Sequence, residues 1–529
     1  MRPSRPVSLF ASLPLLFASV SASGQTSSPA RPDGIAPAPS VEPAPAPATT
    51  SPKPESDKAG YVPSEQAQAA GQGPRAPQGV PDAANVSKPA PAGHTGTFEF
   101  GSYGRVALGS DLRGGLARPA NIVAFGPRWD LESYAEFELR REDKFSEDLK
   151  TRVVFTMALL PPFFHFDGKP LDDLAVRNLY AQGTYKWLTL WGGSRMYRGD
   201  DIYLLNWWPL DNQNTVGGGA FAALPEDWTL ALHAGSTRQD SPYQFQLVPG
   251  VAPYGFGTVS APFLDRPRAV ETFKVTKLFR NSGTKKHFQS DTMGVKLIAY
   301  AEAHQISEGT RRDRDPNVDI TLPADSGFLV GGQATLWTGQ RDTYVSLFGR
   351  YARGLAAYDP FNTPVGGVNG ATTQDASDTH FAFAGNFEKD WFGILWGTYI
   401  RFFRGGTASI TQPADFDEGT VNVRPQVYFG EYFGLAVDAS YQARRFPIPG
   451  RGGEDFVNAQ LVRTAVFPYF SPWGRGSFKR PQLGLLGGVT FRNDEARSLY
   501  IADDPFSRRS TDFYAGFLVE WWFNSTSYP

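Results

Sequence analysis

The alternation of apolar and polar residues over short stretches is the feature that most constrains the fold of this chain. From Phe433 to Arg444, apolar side chains stand at odd positions, and small, polar or charged side chains stand at most even positions. Tyr134–Arg140 repeats the pattern, and so does 515–523 near the C-terminus. A period of two places successive side chains on opposite faces of a β-strand, which a helix cannot do. The sequence therefore predicts an all-β chain.

The same alternation fits two architectures. A soluble sandwich buries the apolar face, whereas a transmembrane barrel turns the apolar face to lipid and the polar face to its lumen. An export signal, the number of alternating stretches and a last strand that ends in Phe523 favour the barrel. About 430 residues, at roughly ten per strand plus loops, predict a transmembrane antiparallel β-barrel of eighteen strands, with sixteen as the alternative. A barrel of this size leaves an aqueous channel.

The N-terminal region divides into two further segments. Arg2 and Arg5 precede an apolar run over Leu9–Val20 and small residues at 20–22, which is typical of a signal peptide over residues 1–22. Residues 23–97 are rich in Pro, Ala, Ser and Gly, and such a composition predicts a disordered periplasmic linker. The linker is either a passive tail or a contact with the peptidoglycan layer. The barrel domain is expected over residues 98–529.

Composition and spacing argue against several other functions. The chain has no cysteine, which excludes disulfides and thiol chemistry, and its net charge of −2 argues against binding to nucleic acid. No serine has a recognisable nucleophile setting, so no enzymatic activity is expected and no cofactor is predicted. Acidic clusters at 313–319 and 415–418 are either calcium sites in outer loops or ordinary solvated charge.

Several motifs, taken in order, resemble those of one family. The opening strand Phe98–Arg105 contains Gly-Ser-Tyr-Gly-Arg, and residues 132–136 read Glu-Ser-Tyr-Ala-Glu. Further matches are 191–197, 477–481 and 520–523. Together they resemble the maltoporins, which are sugar-specific porins. The resemblance implies passive diffusion of maltose-like sugars through a homotrimeric pore, embedded in the lipid of the bacterial outer membrane.

The resemblance also implies a set of aromatic residues that contact the sugar. In maltoporins a sugar stacks its apolar ring faces on a row of aromatic side chains, and each contact is weak so that the sugar moves on. By position, the matching residues are Tyr103, Tyr134, Phe478 and Trp522. Phe164, or one of its neighbours Phe163 and Phe166, either reaches into the pore of the neighbouring subunit or packs its own loop against the barrel.

Charged residues of the family's polar track match Arg105, Glu136, Arg177 and Asp201. Each is either a track residue or an ordinary solvated lumen charge. Strict alternation places Arg177 on the same face as the lipid-facing Leu179, so Arg177 fits the track only if it lies at the end of its strand.

The predicted constriction departs from the family pattern. Trp208 stands where the family has a tyrosine, Asn206 where it has an aspartate and Gly199 where it has an arginine. Arg198 or Asp200 is the expected substitute for that arginine. A bulkier and less polar constriction at Trp208 and Arg198 leaves the preferred sugar open.

The sequence leaves two alternatives to the sugar channel. A general porin would sieve small solutes by size and charge, and it predicts scattered lumen aromatics. A structural or adhesive barrel would bind a partner through its loops or its Pro-rich tail, and it predicts a blocked lumen.

Overall fold

The computed structural model describes residues 95–128, 133–159, 174–237, 245–251, 258–264, 266–280, 293–312, 319–338, 343–358, 372–405, 415–447 and 456–526. Within these ranges the chain is almost entirely β-strand. The strands are β1 (Thr95–Ser110), β2 (Tyr134–Lys144), β3 (Leu149–Leu159), β4 (Leu174–Tyr185), β5 (Leu188–Arg198), β6 (Asn212–Leu224), β7 (Trp228–Thr237), β8 (Phe245–Val251), β9 (Thr258–Leu264), β10 (Arg268–Arg280), β11 (Met293–Ile306), β12 (Gly309–Arg312), β13 (Asp319–Leu322), β14 (Asp325–Thr338), β15 (Thr343–Gly354), β16 (Ser377–Glu388), β17 (Phe392–Arg404), β18 (Asp415–Phe429), β19 (Phe433–Pro447), β20 (Phe456–Phe470), β21 (Gln482–Arg492) and β22 (Thr511–Phe523).

Helical structure is limited to single turns in the described parts. The α-helical turns are Asp494–Arg497 and Pro505–Arg508, and the 3-10 turns are Tyr203–Leu205, Pro225–Asp227 and Leu355–Ala357. None of the helices described is long and apolar enough to cross a membrane.

Eighteen of the strands form one closed antiparallel sheet. Each pairs with its neighbour along the chain, and β1 closes the barrel by pairing with both β2 and β22. The remaining four strands form two hairpins, β8 with β9 and β12 with β13, which lie in loops after β7 and β11. The prediction of an eighteen-stranded barrel is therefore confirmed, and the sixteen-stranded alternative is wrong.

The alternation in the sequence separates the two faces of the wall. In β2, Phe137 and Leu139 are exposed on the outside, whereas Glu136 and Glu138 are fully buried on the inside. In β22, Phe517 is exposed and Glu520 is buried. A polar inner face and an apolar outer face are the arrangement that a membrane-spanning barrel requires.

Three segments fold into the barrel instead of remaining at its ends. The first inward loop is residues 111–128, the second inward loop is residues 199–211, and the inner turn is residues 471–481 between β20 and β21. In the first loop, the backbone N–H groups of Ile122 and Phe125 donate to lumen side chains of β19 and β17, at 2.9 and 3.1 Å. These segments bring loop residues to the depth of the wall residues that face the lumen.

The N-terminal predictions fall mostly outside the described residues. The signal peptide over 1–22 and nearly all of the linker over 23–97 lie there. The barrel itself begins at Thr95, slightly before the boundary expected at residue 98.

Candidate pore-lining site

Aromatic side chains form a continuous row inside the barrel. Neighbouring ring centroids lie 6.1 Å apart for Tyr134 and Tyr103, 6.0 Å for Trp522 and Tyr203, and 5.6 Å for Tyr203 and Phe478. Tyr103 and Trp522 are direct partners across β1 and β22, and Trp522 packs against the cluster that Tyr103 forms with Tyr134 and Ala158. Tyr344 extends the row beyond Phe478, at 6.4 Å. We call these six residues the aromatic row.

Strand register and two inward segments build this row. The three residues Tyr134, Tyr103 and Trp522 come from β2, β1 and β22, which are adjacent at the closure of the barrel. Tyr203 comes from the second inward loop and Phe478 from the inner turn, so the row continues only because these segments fold inward. Tyr103, Tyr134 and Tyr203 are buried, whereas Trp522 and Phe478 keep part of their surface exposed.

One carboxylate, that of Glu520 on β22, lies beside the middle of the row. It accepts hydrogen bonds from Tyr203 Oη at 2.6 Å and from Tyr103 Oη at 3.3 Å. It also pairs with Arg128 Nη2 at 2.5 Å and with Arg480 Nη2 at 2.9 Å. Such charge-assisted bonds are stronger than neutral ones, so this group joins the row to two arginines.

Arg105 lies on the same face as Tyr103, as the sequence predicts. Its Nη1 donates to Tyr103 Oη at 3.0 Å, and the residue is buried. Arg128 also lies over the ring of Tyr203, with Cζ 4.3 Å from the ring centroid. The polar side of the row is therefore mainly guanidinium groups and tyrosine hydroxyls around Glu520.

Arg177 faces the lumen, although strict alternation would place its side chain on the lipid side. The pairing of β3 with β4 shifts register at Thr156 and Met157, so that Thr156 faces Asn178 while Met157 faces Val176. Arg177 is the extra residue of this β-bulge, which redirects its side chain. Its Nε donates to Tyr134 Oη at 2.8 Å and lies 3.7 Å from Glu136 Oε1. The condition that Arg177 must lie at a strand end is therefore wrong, because the bulge places it beside Tyr134 and Glu136.

The second inward loop is held at its ends by two ion pairs, of which the pair of Asp211 with Lys274 is fully buried. Asp200 pairs with Lys296 of β11 and also accepts from Gln333 of β14. Asp211 pairs with Lys274 of β10. Burial acts to raise the pKa of Asp200, but Lys296 outweighs it and the pKa is lowered. Asp200 therefore anchors the loop, and it does not replace the family arginine as a free lumen charge.

Gly199 permits the loop to start close to its own end. A Cβ at this position would lie 1.7 Å from Asp211 Oδ1, and the Gly199 N–H donates to the Asp211 carbonyl at 3.0 Å. Glycine in place of the family arginine therefore allows the end of the loop at Asp211 to lie close to its start at Gly199.

Asp201, Arg198 and Trp208 lie around the same loop. Arg198 Cζ lies 3.8 Å from the Trp208 ring centroid, and its Nε donates to Asn212 at 2.8 Å. Burial raises the pKa of Asp201 to about 6, and the charges of Arg128 and Arg198 oppose this rise. The charge of Asp201 therefore changes near pH 6.

Sequence reasoning missed four residues of this arrangement. Tyr203, Tyr344, Arg128 and Arg480 carry no alternation signal that separates them from other polar or aromatic residues. Arg128, Tyr203 and Arg480 lie in segments without a strand period, so nothing in the sequence predicts which way they point. One signal pointed to Arg480: it belongs to the family-like motif at 477–481, which also contains the predicted row residue Phe478.

Two predictions lie wholly or partly outside the described residues. Phe163, Phe164 and Phe166 are outside them, as is most of the acidic cluster at 313–319. In the cluster at 415–418, Glu418 bonds to Tyr399 and Arg401, and Asp417 pairs with Arg404. Across the ranges described, no group of three or more histidine or carboxylate side chains is placed to hold a metal ion. Calcium binding stays a prediction.

The closed barrel, its apolar outer wall and its polar lumen with inward-folded segments define an outer-membrane porin. Residues 98–523 match the LamB porin family, so the chain belongs to this family, the maltoporins. The predicted family is therefore confirmed, and the protein lies in the bacterial outer membrane. Family and fold point to a channel and not to an enzyme.

Three solved structures with a similar fold are distant in sequence. OccAB1 of Acinetobacter baumannii is 10% identical with a TM-score of 0.41, covering 83% of this chain and 99% of that one. OpdL of Pseudomonas aeruginosa is 12% identical with a TM-score of 0.40, covering 81% and 98%. The trimer form of OmpT, an outer membrane protein of Vibrio cholerae, is 10% identical with a TM-score of 0.39, covering 82% and 100%. A search of curated proteins found no match.

Proposed function

We propose that this porin is a channel for facilitated passive diffusion of sugars of the maltose and maltooligosaccharide type. The observation that supports this is the aromatic row: four neighbouring pairs of ring centroids lie 5.6 to 6.4 Å apart, and the remaining pair, Tyr103 and Trp522, are partners across β1 and β22. A pyranose ring has apolar C–H faces of similar width to an aromatic ring, so a sugar can stack on the partly exposed rings of Trp522 and Phe478, which the buried tyrosines of the row support. A general porin needs no such row.

The charged groups beside the row suit the hydroxyl rim of a sugar. Arg105, Arg177 and Glu136 lie next to Tyr103 and Tyr134, and they offer donors and acceptors that exchange hydrogen bonds with hydroxyl groups. Trp522 and Phe478 keep exposed surface, so they are the rings that a sugar in the lumen contacts first. Contacts of this kind are individually weak, which favours release as well as binding.

Single-channel conductance of the purified protein in a planar bilayer tests this proposal. The current should be blocked in a saturable way by maltose oligomers, and sucrose serves as the comparison sugar. Steady conductance that no sugar blocks would instead indicate a general porin. An absence of conductance would leave the structural or adhesive barrel.

We also propose that three copies associate, as membership of the family implies. The smooth outer wall of a barrel can be buried against another copy, and the apolar side chains that it carries suit either a lipid or a protein neighbour. Light scattering on the detergent-solubilised protein would give the mass of a trimer or that of a single chain, which is 57.9 kDa for the full sequence before removal of the predicted signal peptide.

A further inference from the structure

Glu520 is the common partner of three segments that are far apart along the chain. Arg128 belongs to the first inward loop, Tyr203 to the second inward loop and Arg480 to the inner turn. Each of these side chains contacts the Glu520 carboxylate within 3.0 Å, and all four residues are buried. One acidic side chain therefore contacts all three inward-folded segments.

The contacts with the two arginines require that the carboxylate of Glu520 is ionised. Arg128 and Arg480 approach the two oxygens of the same carboxylate, so two guanidinium groups lie close together in a poorly solvated place. Removing the charge of Glu520 would leave both arginines without their shared counter-ion. Arg128 would keep the attraction of Asp201, but two adjacent buried guanidinium groups would lose the carboxylate between them, so the segments would move to hydrate their arginines.

The same carboxylate orients the aromatic row. The hydroxyl groups of Tyr103 and Tyr203 both donate to Glu520, and Tyr203 is the ring that connects Trp522 to Phe478. Without its bond to Glu520, Tyr203 would be held to β22 mainly by its weaker ring contact with Trp522, and its ring would be able to rotate out of the row. The row would then be interrupted between Trp522 and Phe478.

We propose that Glu520 is a positioning residue that sets both the aperture of the pore and the continuity of the aromatic row. It acts through Arg128, Tyr203 and Arg480, and not by touching the permeating solute. The part that concerns the row rests on the proposed sugar function, whereas the part that concerns the aperture does not.

Planar-bilayer recordings on Glu520→Gln test the proposal. The substitution keeps the shape of the side chain and removes its charge. We expect a larger and noisier open-channel current than in the wild type, together with a sugar association constant for maltotriose lowered about tenfold, because the row loses its aromatic contact between Trp522 and Phe478. Glu520→Asp should restore part of both properties, because it keeps the charge at a longer distance.

The matched control is Asp512→Asn on the same strand and face. Asp512 is buried and pairs with Arg492 of β21, and its link to the first inward loop is a through-space attraction to Arg118, without a hydrogen bond between the two in the described structure. Its variant should keep the wild-type aperture and maltotriose block. If Glu520→Gln does not fold, Tyr203→Phe is the second variant, since it removes only the hydroxyl bonded to Glu520 and should still increase current noise and weaken block.

The outcomes separate the two proposals. If wild-type current is blocked by maltotriose while Glu520→Gln and Tyr203→Phe keep the wild-type current and block, the positioning role is overturned and the sugar function stands. If no sugar blocks the wild type, the sugar function fails, and the open-channel current of Glu520→Gln alone decides the aperture role. An equal change in Asp512→Asn would also overturn the proposal, because it would make the effect one of any buried carboxylate on β22.

Discussion

The rings of Phe125 and Trp207 stack with their centroids 4.5 Å apart and their planes at 14°. Phe125 belongs to the first inward loop and Trp207 to the second, so this stack joins the two loops inside the barrel. Tyr399 of β17 lies 5.3 Å from both rings and fixes the pair to the wall. The two loops therefore behave as one packed unit, and changes in either should alter the lumen.

Trp522→Ala should lower the association constant of maltotriose about three- to tenfold, because a stacking ring with exposed surface is lost from the row. Trp521→Ala is the matched control. Trp521 faces the outside, where its ring packs over Gly104 and its N–H donates to Ser102 at 3.0 Å. Sugar titration of single-channel current measures both. Equal loss in the two variants would contradict a role specific to the row.

The charge of Asp201 should make ion selectivity depend on pH near neutrality. Burial raises the pKa of this carboxyl to about 6, so it is ionised at pH 7.5 and mostly protonated at pH 5. An ordinary aspartate would stay ionised over that whole range, since its pKa is about 4. Cation preference, measured as the reversal potential in a KCl gradient, should therefore fall as pH is lowered through 6. Asp201→Asn should remove this pH dependence, and an unchanged titration in that variant would assign it to another group.

Lys274→Met should destabilise the protein by about 3–5 kcal/mol, because it leaves the buried carboxylate of Asp211 without its partner. Asp211→Asn should cost a similar amount for the converse reason. The double variant should recover much of the loss, since both charges are gone. Urea unfolding in detergent or lipid measures the four free energies. Additive losses in the double variant would show that the two side chains are not coupled.

Gly199→Ala should disturb the start of the second inward loop. The new Cβ would lie 1.7 Å from Asp211 Oδ1, and the salt bridge to Lys274 keeps that oxygen from moving freely. We expect a loss of about 1–3 kcal/mol in the free energy of unfolding, together with a changed open-channel current. Gly183→Ala in β4 is the control, because no atom lies within 4 Å of its Cβ position. That variant should differ from wild type by no more than about 0.5 kcal/mol.

Most of the wall could be predicted from the sequence, because successive side chains of a barrel strand alternate between the lipid and the lumen. Tyr103, Tyr134, Glu136 and Trp522 all lie on the lumen face that alternation gives them. Arg177 shows the limit of that rule. A single extra residue in a β-bulge reverses the face, and nothing in the local residue pattern marks where the register shifts.

The loops could not be predicted in the same way. Tyr203, Arg128 and Arg480 lie in segments without a regular period, so their direction depends on partners distant in sequence. Asp200 illustrates the difference, because the sequence offered it as a substitute for the missing arginine, whereas the fold pairs it with Lys296.

The sequence by itself determined the barrel, its strand number to within two and the faces of its wall, because these follow from chain length and from a period of two. Only the tertiary structure decided which loops enter the lumen and which side chains meet at Glu520. The physical reason is that alternation is a local property, whereas a buried carboxylate attracts whichever arginines and tyrosines the closed sheet brings within reach.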